Sequence, residues 1–61
     1  MTLTITIEMD NAAFGDDAES RLAEVQRIIA RKIGKVSLDP GEYGRFMDTN
    51  GNTVGKWEVS E

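Results

Sequence analysis

The sequence contains neither cysteine nor histidine. Without cysteine the fold has no disulfide or thiolate zinc site to brace it, and without either residue catalysis has neither a thiol nucleophile nor an imidazole base. No apolar run approaches the roughly 20 residues of a membrane helix, and the opening residues lack the charged and apolar regions of a secretory signal. We therefore expect a single small domain, residues 1–61, in the cytoplasm and with no cofactor or metal.

The sequence also lacks any pattern typical of an enzyme. Ser20, Ser37 and Ser60 have no base at a recognisable spacing, and the glycines match neither of the common phosphate-binding patterns. A chain of 61 residues buries roughly 60% of the surface that its unfolded form exposes, which leaves no room for an enclosed active site. These features predict a protein that does not act as an enzyme.

Two periodicities organise the first half of the chain. Apolar and polar residues alternate strictly from Thr2 to Met9, which is the period of a half-buried strand. From Asp17 to about Ile33 the apolar residues recur at helical spacing, so an amphipathic helix is expected there. Phe14 lies in the loop between them and is expected to pack under the helix.

The second half predicts a β-hairpin, with strands Tyr43 to Asp48 and Asn52 to Val59 joined around Asn50-Gly51. The fold class is therefore α+β with the order β-α-β-β, a three-stranded antiparallel sheet with one helix packed on one face. We expect the first strand to pair with the last, although a right-handed crossover beside the second strand is also compatible with the sequence.

The register of the hairpin has two solutions. A two-residue loop would place Trp57 opposite Gly44 and Phe46 opposite Gly55, so that each aromatic ring covers a glycine. A three-residue loop with Gly51 in the left-handed conformation would place Tyr43 opposite Trp57 instead. The sequence leaves both registers open.

The hairpin residues Asp48, Asn50 and Asn52 alternate like the first ligands of a calcium loop. Such a loop needs glycine at its sixth position and glutamate at its twelfth, where this chain has Thr53 and Val59. The turn explains the same residues without a metal, and we expect Asp48 and Asn52 to point into water.

Charge is distributed unevenly along the predicted topology. Eleven acidic and seven basic residues give a net charge of -4, which opposes general attraction to nucleic acid. The end of the first strand, the start of the helix and the hairpin turn meet at one end of the domain, while the basic residues fall mostly at the other. Solvated caps and turns would account for this pattern as well. The candidate partner-binding residues at the acidic end are Glu8, Asp10, Asp16, Asp17, Glu19, Glu24 and Asp48.

The opening "MTLTITIEMDNAAF" and the closing "DTNGNTVGKWEV" resemble a group of very short proteins encoded by bacteriophages and other mobile elements. Small acidic proteins of similar size and source include anti-CRISPR proteins, some of which mimic DNA and block the groove where a type I surveillance complex reads its target. The resemblance implies an inhibitor in the host cytoplasm that binds a basic DNA-binding surface of a CRISPR effector. We expect it to be a monomer and to bind no nucleic acid directly.

Two other hypotheses follow from the residues. The open face of the sheet could bind a protein, which makes the sequence a candidate phage accessory module, and exposure of Tyr43 and Met47 would favour this alternative. A basic helix surface with Arg27, Arg31 and Lys35 could instead meet a phosphate backbone. The open-face residues are Thr4, Thr6, Tyr43, Arg45, Met47 and Lys56.

Overall fold

A computed structural model describes residues 1–61 and confirms the α+β class. Strand β1 is followed by a short 3₁₀ turn, the helix α1 and the hairpin strands β2 and β3. The predicted first strand is two residues too long, and the helix begins one residue later because Asp17 is its N-cap. The elements are β1 (Thr2–Ile7), the 3₁₀ turn (Ala12–Phe14), α1 (Ala18–Ile33), β2 (Tyr43–Met47) and β3 (Thr53–Ser60).

The strands form one antiparallel sheet in the order β1-β3-β2. The longest strand, β3, is central, and the predicted pairing of the first strand with the last is confirmed. The chain runs in the same direction along β1 and β2, so the end of β1 and the hairpin turn lie at the same end of the sheet. Helix α1 connects these strands and begins at that end.

The hairpin combines features of both predicted registers. Trp57 lies opposite Gly44 and Phe46 opposite Gly55, as the two-residue loop requires, whereas the alternative pairing of Tyr43 with Trp57 is wrong. The loop itself nevertheless has three residues and ends at Gly51, whose φ is 84°. A register shift between Phe46 and Met47 reconciles the tight pairing with the longer loop.

The core is small and largely aromatic at its centre. Phe14 and Phe46 are fully buried, which confirms that Phe14 packs beneath the helix. Gly55 lets the strands approach closely, because a Cβ atom there would lie 2.1 Å from the carbonyl oxygen of Thr6. The other buried apolar residues are Ile28, Val54, Trp57 and Val59.

Helix α1 covers only part of the inner sheet face. It packs mainly on β2 and the 3₁₀ turn, so Leu3 and Ile5 of β1 remain 40% and 37% exposed. Leu22, which the apolar stripe predicts to face the sheet, is also exposed. No helix in the structure has the length and apolar character that crossing a membrane requires.

Candidate functional site at the acidic end

Three segments meet at the end of the sheet where α1 begins, and Asp48 holds two of them together. Its Oδ1 atom accepts hydrogen bonds from the backbone N–H groups of Asn50 and Asn52, both at 2.9 Å. Its Oδ2 atom accepts one at 2.7 Å from the Nδ2 group of Asn11, in the loop after β1. Asp48 therefore fastens the hairpin turn to the loop that precedes the helix.

The surroundings of Asp48 favour its ionised form. The backbone N–H of Asn52 lowers the pKa of this carboxyl below its ordinary value, the Asn11 and Asn50 bonds lower it further, and desolvation opposes them in part. Only 4% of the residue is exposed. The prediction that Asp48 points into water is wrong, because backbone N–H groups of its own turn enclose the carboxylate.

Glu24 secures the third segment, the helix, to the same turn. Its carboxylate accepts hydrogen bonds at 3.1 Å from the backbone N–H and at 3.1 Å from the hydroxyl of Thr49, and it forms an ion pair with Arg27. The Arg27 guanidinium also donates to the Thr49 hydroxyl. Glu24 is 1% exposed. It is therefore not available to a partner, contrary to the sequence-based assignment.

Five of the seven candidate acids do reach the surface, and we call this group the acidic surface. Asp17 has a second role, because its Oδ1 atom accepts a 2.8 Å hydrogen bond from the backbone N–H of Ser20 and so caps the helix. That bond, with the Ser20 hydroxyl and the nearby Arg21 charge, lowers the pKa of the Asp17 carboxyl. The acidic surface consists of Glu8, Asp10, Asp16, Asp17 and Glu19.

The acidic surface lies on the connection between β1 and α1 and on the first turn of α1, and the buried carboxylates hold both in place. Asn11 links the segment with Glu8 and Asp10 to the turn, and Glu24 links the helix to the same turn. The C-terminal half of α1 runs toward the opposite end, where Arg31, Lys32 and Lys35 line a groove of about 240 Å³ between α1 and β2. Arg45 and Lys56 lie nearer to the acidic surface, because they line a second groove, of about 500 Å³, together with Glu8 and Asp10.

The open face of the sheet forms a second exposed surface. Cross-strand pairing aligns Thr6, Lys56 and Arg45 in one row, and Thr4 and Tyr43 flank Glu58 in the next. Tyr43 is 79% exposed and Met47 is 55% exposed, which are large values for an aromatic and a thioether side chain. No element covers this face.

The acidic residues do not form a metal site in the structure. No group of three or more acidic residues has the geometry to hold a metal ion. The alternating Asp48, Asn50 and Asn52 serve the turn, because the backbone N–H groups of both asparagines donate to Asp48. The structure thus presents two exposed surfaces, the carboxylates of the acidic surface and the large and polar side chains of the open sheet face.

Comparison of the chain with models of known protein families, with curated proteins and with solved structures finds no match.

Proposed function

We propose that this protein is an inhibitor that acts by binding, and that its acidic surface occupies a basic DNA-binding groove of a type I CRISPR surveillance complex in the host cytoplasm. The observation that carries the proposal is the exposure of five carboxylates on segments joined through Asp48 and Glu24. Negative charge held at one end of a domain complements a groove lined by lysine and arginine. The resemblance to small acidic phage proteins supplies the particular target.

The required contacts belong to fewer residues than the sequence suggested. Glu24 and Asp48 are buried and would act only by holding the loops, while Asp17 combines exposure with helix capping. Asp16 and Glu19 have no side-chain hydrogen bond or ion pair within the chain, so changing them tests charge with little effect on the fold. The proposal therefore depends chiefly on Asp10, Asp16 and Glu19, with Glu8 beside them.

The test is charge reversal at the acidic surface. The double variant Asp16→Lys and Glu19→Lys should bind a purified type I complex at least tenfold more weakly and lose inhibition of target DNA binding. The control is the single reversal Glu42→Lys, which makes half of that charge change at an exposed position before β2, at the other end of the sheet, and is compared with Asp16→Lys alone. Inhibition that survives the double variant, or that is lost equally in the control, would refute the assignment.

A second candidate function is a protein-interaction module that uses the open sheet face. The exposure of Tyr43 and Met47 favours it, because large exposed side chains on an uncovered sheet are typical of binding surfaces. The variants Tyr43→Lys and Met47→Lys should then abolish partner capture while charge reversal at the acidic surface leaves it intact. The acidic-surface proposal predicts the reverse.

A further inference from the structure

The two edges of the sheet differ in how they are protected from pairing with another strand. Edge strand β2 carries Arg45, contains the register shift after Phe46 and lies beside α1. Charges, irregular register and covering elements are the usual means of blocking an edge. Edge strand β1 has none of them, since residues 2–7 read TLTITI without a charge, a proline or an irregularity.

The free backbone groups of β1 belong to its apolar residues. The N–H of Glu8 donates to the carbonyl oxygen of Val54 at 2.8 Å, so these two residues form a hydrogen-bonded pair. In an antiparallel ladder hydrogen-bonded pairs occur at every second residue. Thr6, Thr4 and Thr2 are therefore also hydrogen-bonded to β3. The N–H and C=O groups of Leu3, Ile5 and Ile7 must then point away from β3. Leu3 and Ile5 also expose more than a third of their surface on the inner face.

We propose that β1 pairs antiparallel with β1 of a second copy of this chain, forming a symmetric dimer with one continuous six-stranded sheet. When two strands pair antiparallel, residues directly opposite each other point to the same face of the sheet. Since β1 alternates threonine with leucine or isoleucine, pairing two copies of β1 places the apolar residues of both on one face and the threonines of both on the other. With Ile5 opposite its own copy and Leu3 opposite Ile7, every outward N–H and C=O group of these residues finds a partner. The inner-face apolar side chains of both copies adjoin.

The charge distribution is compatible with this pairing. A two-fold axis through β1 sends the two acidic surfaces to opposite ends of the dimer, which avoids repulsion between chains of net charge -4. Each acidic surface then lies at the same end as the partner copy's helix C-terminus, where Arg31, Lys32 and Lys35 are found. This dimer differs from the monomer that the sequence predicts, and the reason for proposing it is that the sheet leaves the apolar side of β1 uncovered.

The proposal is tested by measuring the mass of the protein in solution and the hydrogen-exchange rates of its backbone amides. Sedimentation equilibrium of the full chain should give twice the 6.7 kDa chain mass as concentration rises. Ile5→Pro removes an outward N–H that β3 does not use, and Ile5→Lys places two ammonium groups opposite each other, so both should shift the protein to monomer. Leu22→Lys, which introduces the same charge at an exposed apolar residue of α1, should leave the dimer intact.

A second measurement does not depend on the variants folding. In the unmodified protein the amide protons of Leu3, Ile5 and Ile7 should exchange at least tenfold more slowly when concentration is raised through the dimerisation range. A monomer at every concentration, a dimer that persists in both Ile5 variants, or exchange at these amides that ignores concentration would each overturn the proposal. The result is independent of the target of the acidic surface, because the dimer requires no other protein.

Discussion

Replacing Glu24 with alanine tests whether this buried acid holds the helix to the hairpin turn. The variant removes two hydrogen bonds that Thr49 donates to the carboxylate and the ion pair with Arg27. Hydrogen bonds to a charged group contribute about 1.5–3 kcal/mol each, toward the lower end here because Thr49 is exposed and water can replace its partner. The half-exposed ion pair adds at most about 0.5 kcal/mol.

The net loss should be about 3 kcal/mol, because relief from burying a carboxylate and the better helix propensity of alanine offset part of the lost contacts. A 61-residue domain has a total stability of roughly 3–9 kcal/mol, so this is a large fraction. At about 4–8 °C per kcal/mol, the melting temperature should fall by roughly 15 °C. Chemical denaturation followed by Trp57 fluorescence measures the free energy of unfolding directly.

The matched control for Glu24→Ala is Glu19→Ala, since Glu19 lies on the same helix but is exposed and has no side-chain partner. The control should change stability by less than about 0.5 kcal/mol. Glu24→Gln keeps the shape of the side chain and one acceptor oxygen, so its loss of stability should lie between those of Glu24→Ala and Glu19→Ala. A loss below about 1 kcal/mol in Glu24→Ala would refute the structural role of this residue, and so would equal losses in the variant and its control.

Three other predictions concern the turn and the sheet. Gly55→Ala should destabilise the domain by about 1–3 kcal/mol or more, measured by urea denaturation, because the added Cβ would lie 2.1 Å from the Thr6 carbonyl oxygen; an unchanged midpoint would contradict this close approach. Gly44→Ala should move the Trp57 indole, whose Nε1 would lie 2.7 Å from the new Cβ, and change the near-UV circular dichroism; an identical spectrum would count against the packing. Because the folded pKa of Asp48 lies below the ordinary 3.8, its contribution is present above that value and is lost as pH falls toward the folded pKa. In Asp48→Asn the free energy of unfolding should therefore fall less steeply with decreasing pH in this range than in the unmodified protein. An equally steep fall would show that other groups cause the loss of stability in acid.

The sequence predicted where in the fold the candidate site lies, but it did not predict which of its side chains are exposed. The topology alone brings the end of β1, the start of α1 and the hairpin turn together, which predicted where the acids would collect. Sequence also indicated a turn at Asn50-Gly51, although it could not choose the register. The register shift after Phe46 depends on how the turn and the aromatic-glycine pairs fit together. That fit is decided by packing between the strands and not by the local sequence.

The sequence by itself determined the order and type of the elements, because alternation from Thr2, helical spacing after Asp17 and the Asn50-Gly51 turn are local properties of the chain. Only the tertiary structure decided which acids face the solvent. Glu24 meets Thr49 across 25 positions and Asn11 meets Asp48 across 37, and no local pattern encodes partners so far apart. Burial of a carboxylate is favourable only where donors converge on it, so the same residue type is a structural link at Glu24 and a surface charge at Glu19.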